Sequence, residues 1–361
     1  MVIAIIDGEI NLQQLKYPDR VKKVEHFGVC EAIEQDYTHA TMIASILELL
    51  SRDYDLINLV VMYAHDMTNM NSLYEAMHHC MTLSIDIILL SMGSIFPSDS
   101  FMLKTLVNQL AAKGIVIIAA QSNSGKLTFP ASFPEVLSVQ RDHDHLLLDN
   151  QYHIQCENLL GVDVTMNYDI LLEGLGVPER NSFIVPILAS LVLPFMQNKK
   201  MSKCDLLTLL STSTTESQAL PVTYTRSVKS DRYSRICCCC EDISQYRYVN
   251  NLLRTLNLSY NVQTLCVCFD ADLSQAGWIK LQTQDSVLDQ ITLLEINSTV
   301  ELLIICCTGA QFELSTHNVD IDMLLKINYD NDVKFYKEGK QIVNANIKYI
   351  DAARVIVDYL S

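Results

Sequence analysis

An aspartate, a histidine and a serine fall at the ends of predicted elements in about the first two hundred residues of the chain. Asp7 closes the apolar run V-I-A-I-I-D, His39 precedes a segment of helical periodicity, and Ser182 precedes a long apolar segment. Together these types can perform nucleophilic catalysis, because an imidazole oriented by a carboxylate accepts the proton of a hydroxyl. Each residue alone also has an ordinary explanation, as a turn residue, a helix-cap neighbour or an N-cap.

Two other groups have residue types that bind metals. The D-H-D-H segment at 142–145 could hold an ion, but a polar hairpin turn is favoured. Cys237 and Cys240 have a C-x-x-C spacing and, with Cys266 and Cys268, could form a zinc or redox site. Because successive side chains of a strand point to opposite faces, Cys237 and Cys240 would lie on different faces of the sheet. We therefore favour the interpretation that these cysteines are small buried hydrophobic residues. We therefore predict no metal site and no cofactor.

Short apolar strands alternate with helical segments in the first half, which indicates an α/β fold with a parallel sheet covered on both faces. A β-hairpin is predicted for 136–154. The predicted strands are 2–6, 56–63, 85–91 and 115–120, and the predicted helices are 39–50, 71–83, 100–113, 182–196 and 203–210.

The same alternation restarts after a stretch rich in Ser and Thr. We predict a first domain at 1–215, a linker at 216–231 and a second, smaller α/β domain at 232–361. The second domain is expected to contain strands at 236–240, 264–269 and 302–307, helices at 243–256 and 350–360, and a hairpin at 333–343.

Five segments of the first part of the chain resemble, in order, segments of the subtilisin-like serine proteases. They are A-I-I-D-G-E-I, T-H-A-T-M-I-A-S-I-L, I-I-L-L-S-M-G-S, G-I-V-I-I-A-A-Q-S-N-S-G followed by F-P-A-S-F-P-E-V-L-S-V, and R-N-S-F-I-V-P-I-L-A-S-L. The resemblance spans about residues 1–215 and implies a subtilisin-like doubly wound parallel sheet.

This resemblance assigns roles to individual residues. It implies that Asp7 orients the imidazole, that His39 is the general base and that Ser182 is the nucleophile. Asn123 would donate its side-chain amide to the oxyanion. Ala40, Arg180 and Asn181 stand where the family has Gly, Gly and Thr.

The third segment implies a substrate-binding role for Ser91, Met92 and Gly93. In the family this strand lines the primary specificity pocket and pairs with the substrate backbone. An arginine at position 180 would be close enough to crowd a substrate or to contact an acidic one.

Charge and composition restrict the partners of the 361-residue chain. A net charge of −16 disfavours nucleic acid and anionic membrane. We see no signal peptide and no run long enough to span a bilayer, and eight of the twelve cysteines lie in apolar runs, so a cytoplasmic protein is expected. The oligomeric state is left open.

The sequence thus predicts a serine endopeptidase that cleaves a specific peptide in the cytosol. The layout resembles minimal intracellular subtilases of bacterial peptide (RiPP) maturation systems, which implies a precursor or leader peptide as the substrate. The alternative is a weakly active or inactive subtilase-fold scaffold that binds peptide in such a system.

Overall fold

The computed structural model describes residues 1–28, 38–62, 68–155, 159–172, 175–197, 199–212, 234–269, 278–282, 286–308, 311, 319–328, 333–337, 340–345 and 348–360. The chain divides into two compact units, one of Met1–Ser94 with Met102–Tyr224 and one of Ile95–Phe101 with Thr225–Ser361. The predicted linker at 216–231 and the domain ends on either side of it lie outside the described residues.

The first unit contains strands and helices in alternation. Its strands are β1 (Val2–Asp7), β2 (Val21–His26), β3 (Asp55–Val60), β4 (Ile87–Leu90), β5 (Val116–Ala120), β6 (Leu137–Arg141), β7 (Gln151–Ile154), β8 (Val164–Asn167), β9 (Leu171–Leu172) and β10 (Leu175–Gly176). Its helices are α1 (His39–Leu50), α2 (Met70–His79), most of α3 (Pro97–Ala112), α4 (Val185–Met196) and α5 (Lys203–Thr212). The first five residues of α3 belong to the second unit.

The main sheet of this unit has the strand order β2-β3-β1-β4-β5-β6-β8-β7 within the described residues. All neighbouring strands run parallel except β7 and β8. The carboxyl ends of the parallel strands therefore meet at one edge, which is where ligands bind in open α/β sheets.

Both faces of this sheet are covered, which explains its continuous apolar strands. Ile3 and Ile5 of β1 belong to a core cluster with residues of α1 and α4. The alternate residues Ala4 and Ile6 are also fully buried, and α2 contacts β1. The predicted doubly wound parallel sheet is confirmed.

The predicted hairpin at 136–154 is wrong. β6 pairs in parallel with β5 and β8, whereas β7 pairs antiparallel with β8, which follows it in the chain. Local alternation of apolar residues predicts that a strand exists, but the choice of partner depends on strands that come later in the sequence.

The second unit repeats the α/β pattern on a smaller scale. Its strands are β11 (Ser234–Cys240), β12 (Thr264–Cys268), β13 (Ile279–Lys280), β14 (Leu302–Thr308), β15 (Met323–Ile327), β16 (Val333–Lys337) and β17 (Lys340–Ala345). Its helices are α6 (Tyr246–Ser259), α7 (Val287–Ile296) and α8 (Tyr349–Leu360).

The described strands of this unit form a sheet in the order β13-β12-β14-β11-β15-β16-β17. The pairs from β13 to β15 are parallel, and β15, β16 and β17 pair antiparallel. The predicted hairpin at 333–343 is confirmed by β16 and β17.

Several cysteines lie in the core of the second unit. Cys238 and Cys240 of β11 pack on one face in an apolar cluster with cysteines of β12 and β14. Cys237 is also buried, and its Sγ lies 3.7 Å from that of Cys307. Among the described residues, no group of three or more His, Cys, Asp or Glu side chains is arranged to hold a metal ion.

No helix in the described part of the chain combines the length and the apolar character that a membrane crossing requires.

Candidate active site

Asp7 is the last residue of β1, and its side chain is completely buried. Asn58 of the adjacent strand β3 holds the turn that follows: its Nδ2 donates to the Gly8 carbonyl at 3.0 Å, and its Oδ1 accepts from the Ile10 N–H at 3.0 Å. The N–H of Gly8 donates to Asp7 Oδ1 at 2.7 Å. A buried carboxylate needs such donors, because burial without them is strongly unfavourable.

His39 is the first residue of α1, and its position is set by the helix cap. The hydroxyl oxygen of Thr38 accepts from the N–H of Thr41 at 3.1 Å, which satisfies one of the free N–H groups of the first turn. Ala40 and Ala44 are fully buried in the core beneath the helix. The imidazole is left 12% exposed at the edge of the core.

Ser182 lies in a short 3-10 turn, Asn181–Ile184, that leads directly into α4. Pro186 occupies the first turn of α4, where the N–H that it lacks would have no helical partner. Ser182 is 6% exposed, and the residue before the turn, Arg180, is exposed. The expectation that Arg180 crowds a substrate or contacts an acidic one stays a prediction.

The structure brings Asp7, His39 and Ser182 into hydrogen-bond contact. His39 Nδ1 lies 3.0 and 2.9 Å from the two carboxylate oxygens of Asp7, and His39 Nε2 lies 2.9 Å from Ser182 Oγ. A carboxylate accepts only, so Nδ1 carries the proton, and the Nε2 lone pair faces the serine hydroxyl. The Phe183 ring packs against the imidazole with a centroid separation of 4.8 Å.

Ser91 contacts this group in a way that the sequence did not reveal. Its hydroxyl donates to Asp7 Oδ2. Ser91 follows β4, which pairs with β1, so the two residues meet at the shared carboxyl ends of neighbouring strands. Strand order was the missing information, since adjacency of β1 and β4 cannot be deduced from either segment alone.

Asn123 lies in the turn after β5, next to the residue that precedes the serine. Gly125 completes this turn with φ of 70°, a conformation that favours glycine. Asn123 Oδ1 accepts the backbone N–H of Asn181 at 2.8 Å. With the oxygen so engaged, the Nδ2 group remains as the donating end of an exposed side chain.

The segment predicted to bind substrate lies beside the chain that follows Asn123. A Cβ at Gly93 would be 2.6 Å from the carbonyl oxygen of Phe129, so only glycine fits there. Ser94 and Phe129 exchange both hydrogen bonds of an antiparallel bridge, at 2.8 and 2.7 Å. Met92 is half-buried and Gly93 is exposed. The substrate-binding role of Ser91, Met92 and Gly93 stays a prediction.

The D-H-D-H segment follows β6 and is tied to the same site. Asp142 is buried, and its Oδ2 accepts the N–H of Leu147 at 2.6 Å. The exposed ring of His143 lies with Nε2 at 3.0 Å from Oδ1 of Asn181. This contact between the segment and the residue before Ser182 was not foreseen, and nothing in the local sequence signals it.

Comparisons with known proteins give fold neighbours. No family model matches the sequence, and no curated protein aligns with it significantly. The prenylagaramide maturation protease PagA is similar at 18% identity with a TM-score of 0.43, over 60% of this chain and 85% of that one.

Two further solved structures are similar in the same way. A cold-adapted subtilisin-like serine proteinase has 15% identity and a TM-score of 0.48, over 58% of this chain and 81% of that one. The self-cleaved protease domain of PatA has 17% identity and a TM-score of 0.41, over 59% and 88%. These structural neighbours are subtilisin-like proteases. Because every TM-score is below 0.5, the function proposed below rests on the side-chain geometry.

Proposed function

We propose that this chain is a serine peptidase of subtilisin type that cleaves a specific peptide. The observation that carries the proposal is the continuous hydrogen-bonded series from the buried carboxylate of Asp7 through His39 to the hydroxyl of Ser182, with His39 Nε2 at 2.9 Å from Ser182 Oγ. Such a series activates a serine hydroxyl, which is a weak nucleophile at its free pKa.

Acylation follows from this geometry. Ser182 Oγ attacks the carbonyl carbon of a peptide bond while its proton passes to His39 Nε2, and Asp7 stabilises the imidazolium that forms. His39 then gives the proton to the departing amine, the C–N bond breaks, and an acyl ester remains on Ser182. Water, deprotonated by His39, hydrolyses the ester and restores the hydroxyl.

The negative charge that develops on the carbonyl oxygen of the substrate must be stabilised by hydrogen-bond donors. The Nδ2 group of Asn123 is one, because its Oδ1 is held by Asn181. The N–H of Ser182 is a second, since the first N–H groups of a helical turn have no acceptor within it. Donors preorganised around the oxyanion supply a large share of the rate enhancement in acyl transfer.

The substrate class is part of the proposal. A net charge of −16 favours peptides that are neutral or basic. PagA is named as a maturation protease, and on this basis we propose a precursor peptide as the substrate here. The ten described cysteines are free thiols, as expected in a reducing compartment, so we propose a cytosolic site of action.

The test is cleavage of candidate precursor peptides, followed by mass spectrometry. We expect discrete cleavage products with the wild-type protein and none with Ser182→Ala. Equal cleavage by both proteins would overturn the assignment of the nucleophile. Peptide binding by a folded wild-type protein that cleaves nothing would favour the peptide-binding scaffold instead.

A further inference from the structure

Asn181, the residue before Ser182, is 1% exposed and makes an unusually complete set of hydrogen bonds. Its Nδ2 donates to the carbonyl oxygens of Gln121 at 3.0 Å and Ser122 at 3.1 Å. Both carbonyls lie directly before Asn123. The side chain therefore attaches the turn that carries Ser182 to the end of β5.

The oxygen of the same side chain reaches a third segment. Asn181 Oδ1 accepts the backbone N–H of Arg141, the last residue of β6, at 2.8 Å, and lies 3.0 Å from His143 Nε2. The two carbonyls on one side and the backbone N–H on the other fix which end of the amide is oxygen. His143 is consequently the donor in its contact with Asn181.

The backbone of Asn181 adds the contact that matters for catalysis. Its N–H donates to Asn123 Oδ1 at 2.8 Å. Asn123 is exposed, so without this bond its side chain would be free to rotate between rotamers. One residue thus fixes the turn of the nucleophile by its side chain and the orientation of the oxyanion donor by its backbone.

We propose that Asn181 is a positioning residue for the hydrolysis, and that His143 supports it from the surface. This inference rests on the proposed function: Asn181 acts on the reaction only by setting the relative positions of Ser182 and Asn123. A displacement of about 1 Å in such a group lowers a rate by on the order of 100-fold.

The kinetic test uses a fluorophosphonate, which phosphonylates an activated serine and needs no knowledge of the natural peptide. We expect Asn181→Ala to lower the maximal labelling rate constant by about 100-fold, with the half-saturation concentration unchanged within about twofold. If Asn123 is no longer held in its orientation, the reaction of the bound fluorophosphonate slows, whereas its binding before the reaction does not change. An unchanged labelling rate would overturn the proposal.

Asn181→Ala removes a buried side-chain amide that makes four hydrogen bonds, and the loss can impair folding, so surface variants provide a second line of evidence. His143→Leu removes the N–H that donates to Asn181 Oδ1. We expect the labelling rate to fall by about two- to tenfold, which corresponds to the free energy of one ordinary hydrogen bond. His143→Gln keeps an N–H donor and should restore the rate. His145→Asn removes the neighbouring exposed imidazole as a matched control. Equal rates for His143→Leu, His143→Gln and the control would contradict the role of His143.

A measurement that does not depend on activity separates this inference from the proposed function. Amide hydrogen exchange of Arg141 and Asn181 should be slow in Ser182→Ala, because both N–H groups donate to side chains of the site. Fast exchange at both amides would overturn the positioning role whatever the activity. Slow exchange in a wild-type protein that no fluorophosphonate labels would support the geometry and contradict the peptidase.

Discussion

Asp7 in the first unit and Cys238 in the second are both completely buried on inner strands of largely parallel sheets. Asp7 is surrounded by donors: the N–H of Gly8, the imidazole of His39 and the hydroxyl of Ser91. Cys238 lies in an apolar cluster, where burial raises the pKa of its thiol well above the usual value.

This difference shows that the sheet architecture does not itself produce chemistry. An ionisable group buried without donors stays neutral and inert, as cysteines in apolar surroundings do. The first unit places hydrogen-bond donors around its carboxyl group at the carboxyl edge of the sheet, and one of these donors is an imidazole. The predictions below test each part of this contrast.

The largest effect is expected from Asp7→Asn, which keeps the shape of the side chain and removes its charge. We expect kcat for peptide cleavage to fall by about 10⁴-fold, because an amide that donates to Nδ1 holds the imidazole in the wrong tautomer. Asp86→Asn is a matched control, since Asp86 accepts the Val2 N–H at the opposite end of β1. A loss of less than about tenfold for Asp7→Asn would show that the donors around Asp7 serve stability only.

Removing the proposed oxyanion donor, Asn123, should have the next largest effect. Asn123→Ala is expected to lower kcat by about 10²- to 10³-fold with little change in KM, because the donor is needed mainly in the transition state. Ser124→Ala, at the adjacent exposed residue, serves as the control. A rise in KM with no change in kcat would assign Asn123 to substrate binding instead.

Ser91→Ala isolates the donor that the sequence did not reveal. A hydrogen bond to a charged group contributes about 1.5–3 kcal/mol, so we expect kcat to fall by about 10- to 100-fold. Ser91→Thr retains a hydroxyl and should recover most of the rate. If Ser91→Ala changes KM alone, Ser91 acts on the substrate as the family resemblance implied.

The smallest effect concerns the second unit and its pH dependence. Burial raises the pKa of Cys238 and Cys306 well above the usual value, whereas in the unfolded chain these thiols ionise near pH 8.5. The unfolded state then loses protons that the folded state keeps. The free energy of unfolding is therefore at its full value below about pH 8.5. Above that pH it falls by up to about 1.4 kcal/mol per pH unit for each thiol.

Trp278 makes this measurable, because it is the only tryptophan of the chain and is buried in the second unit. Urea unfolding followed by its fluorescence should give a lower free energy of unfolding at pH 10 than at pH 8. The pH dependence should be smaller in Cys238→Ala. A pH-independent transition would mean that these thiols are not buried as described.

The helices and strands that depend on local sequence signals could be predicted from the sequence. The helix of His39–Leu50 was predicted with the bounds that the structure shows, because a Thr cap and apolar periodicity mark it. The strand ending at Asp7 was short by one residue. The order of their segments led us to expect Asp7, His39 and Ser182 to act together, and the three side chains lie in hydrogen-bond contact. Their catalytic roles stay a prediction.

The contacts that the sequence did not predict depend on which distant segments of the chain lie next to each other in the fold. The bond of Ser91 to Asp7 requires β4 beside β1, and the contact of His143 with Asn181 requires the end of β6 beside the turn before α4. In the sequence Asn181 is only a departure from the Thr of the family motif. Its buried amide satisfies four partners drawn from two other segments, which no local pattern reports.

The most direct test of the central claim is to locate the residue that a fluorophosphonate modifies in the intact, folded protein by tandem mass spectrometry. The account predicts a single adduct on Ser182 that is absent from His39→Ala. Absence of an adduct in the folded wild-type protein, or an adduct on another serine that persists in His39→Ala, would contradict it.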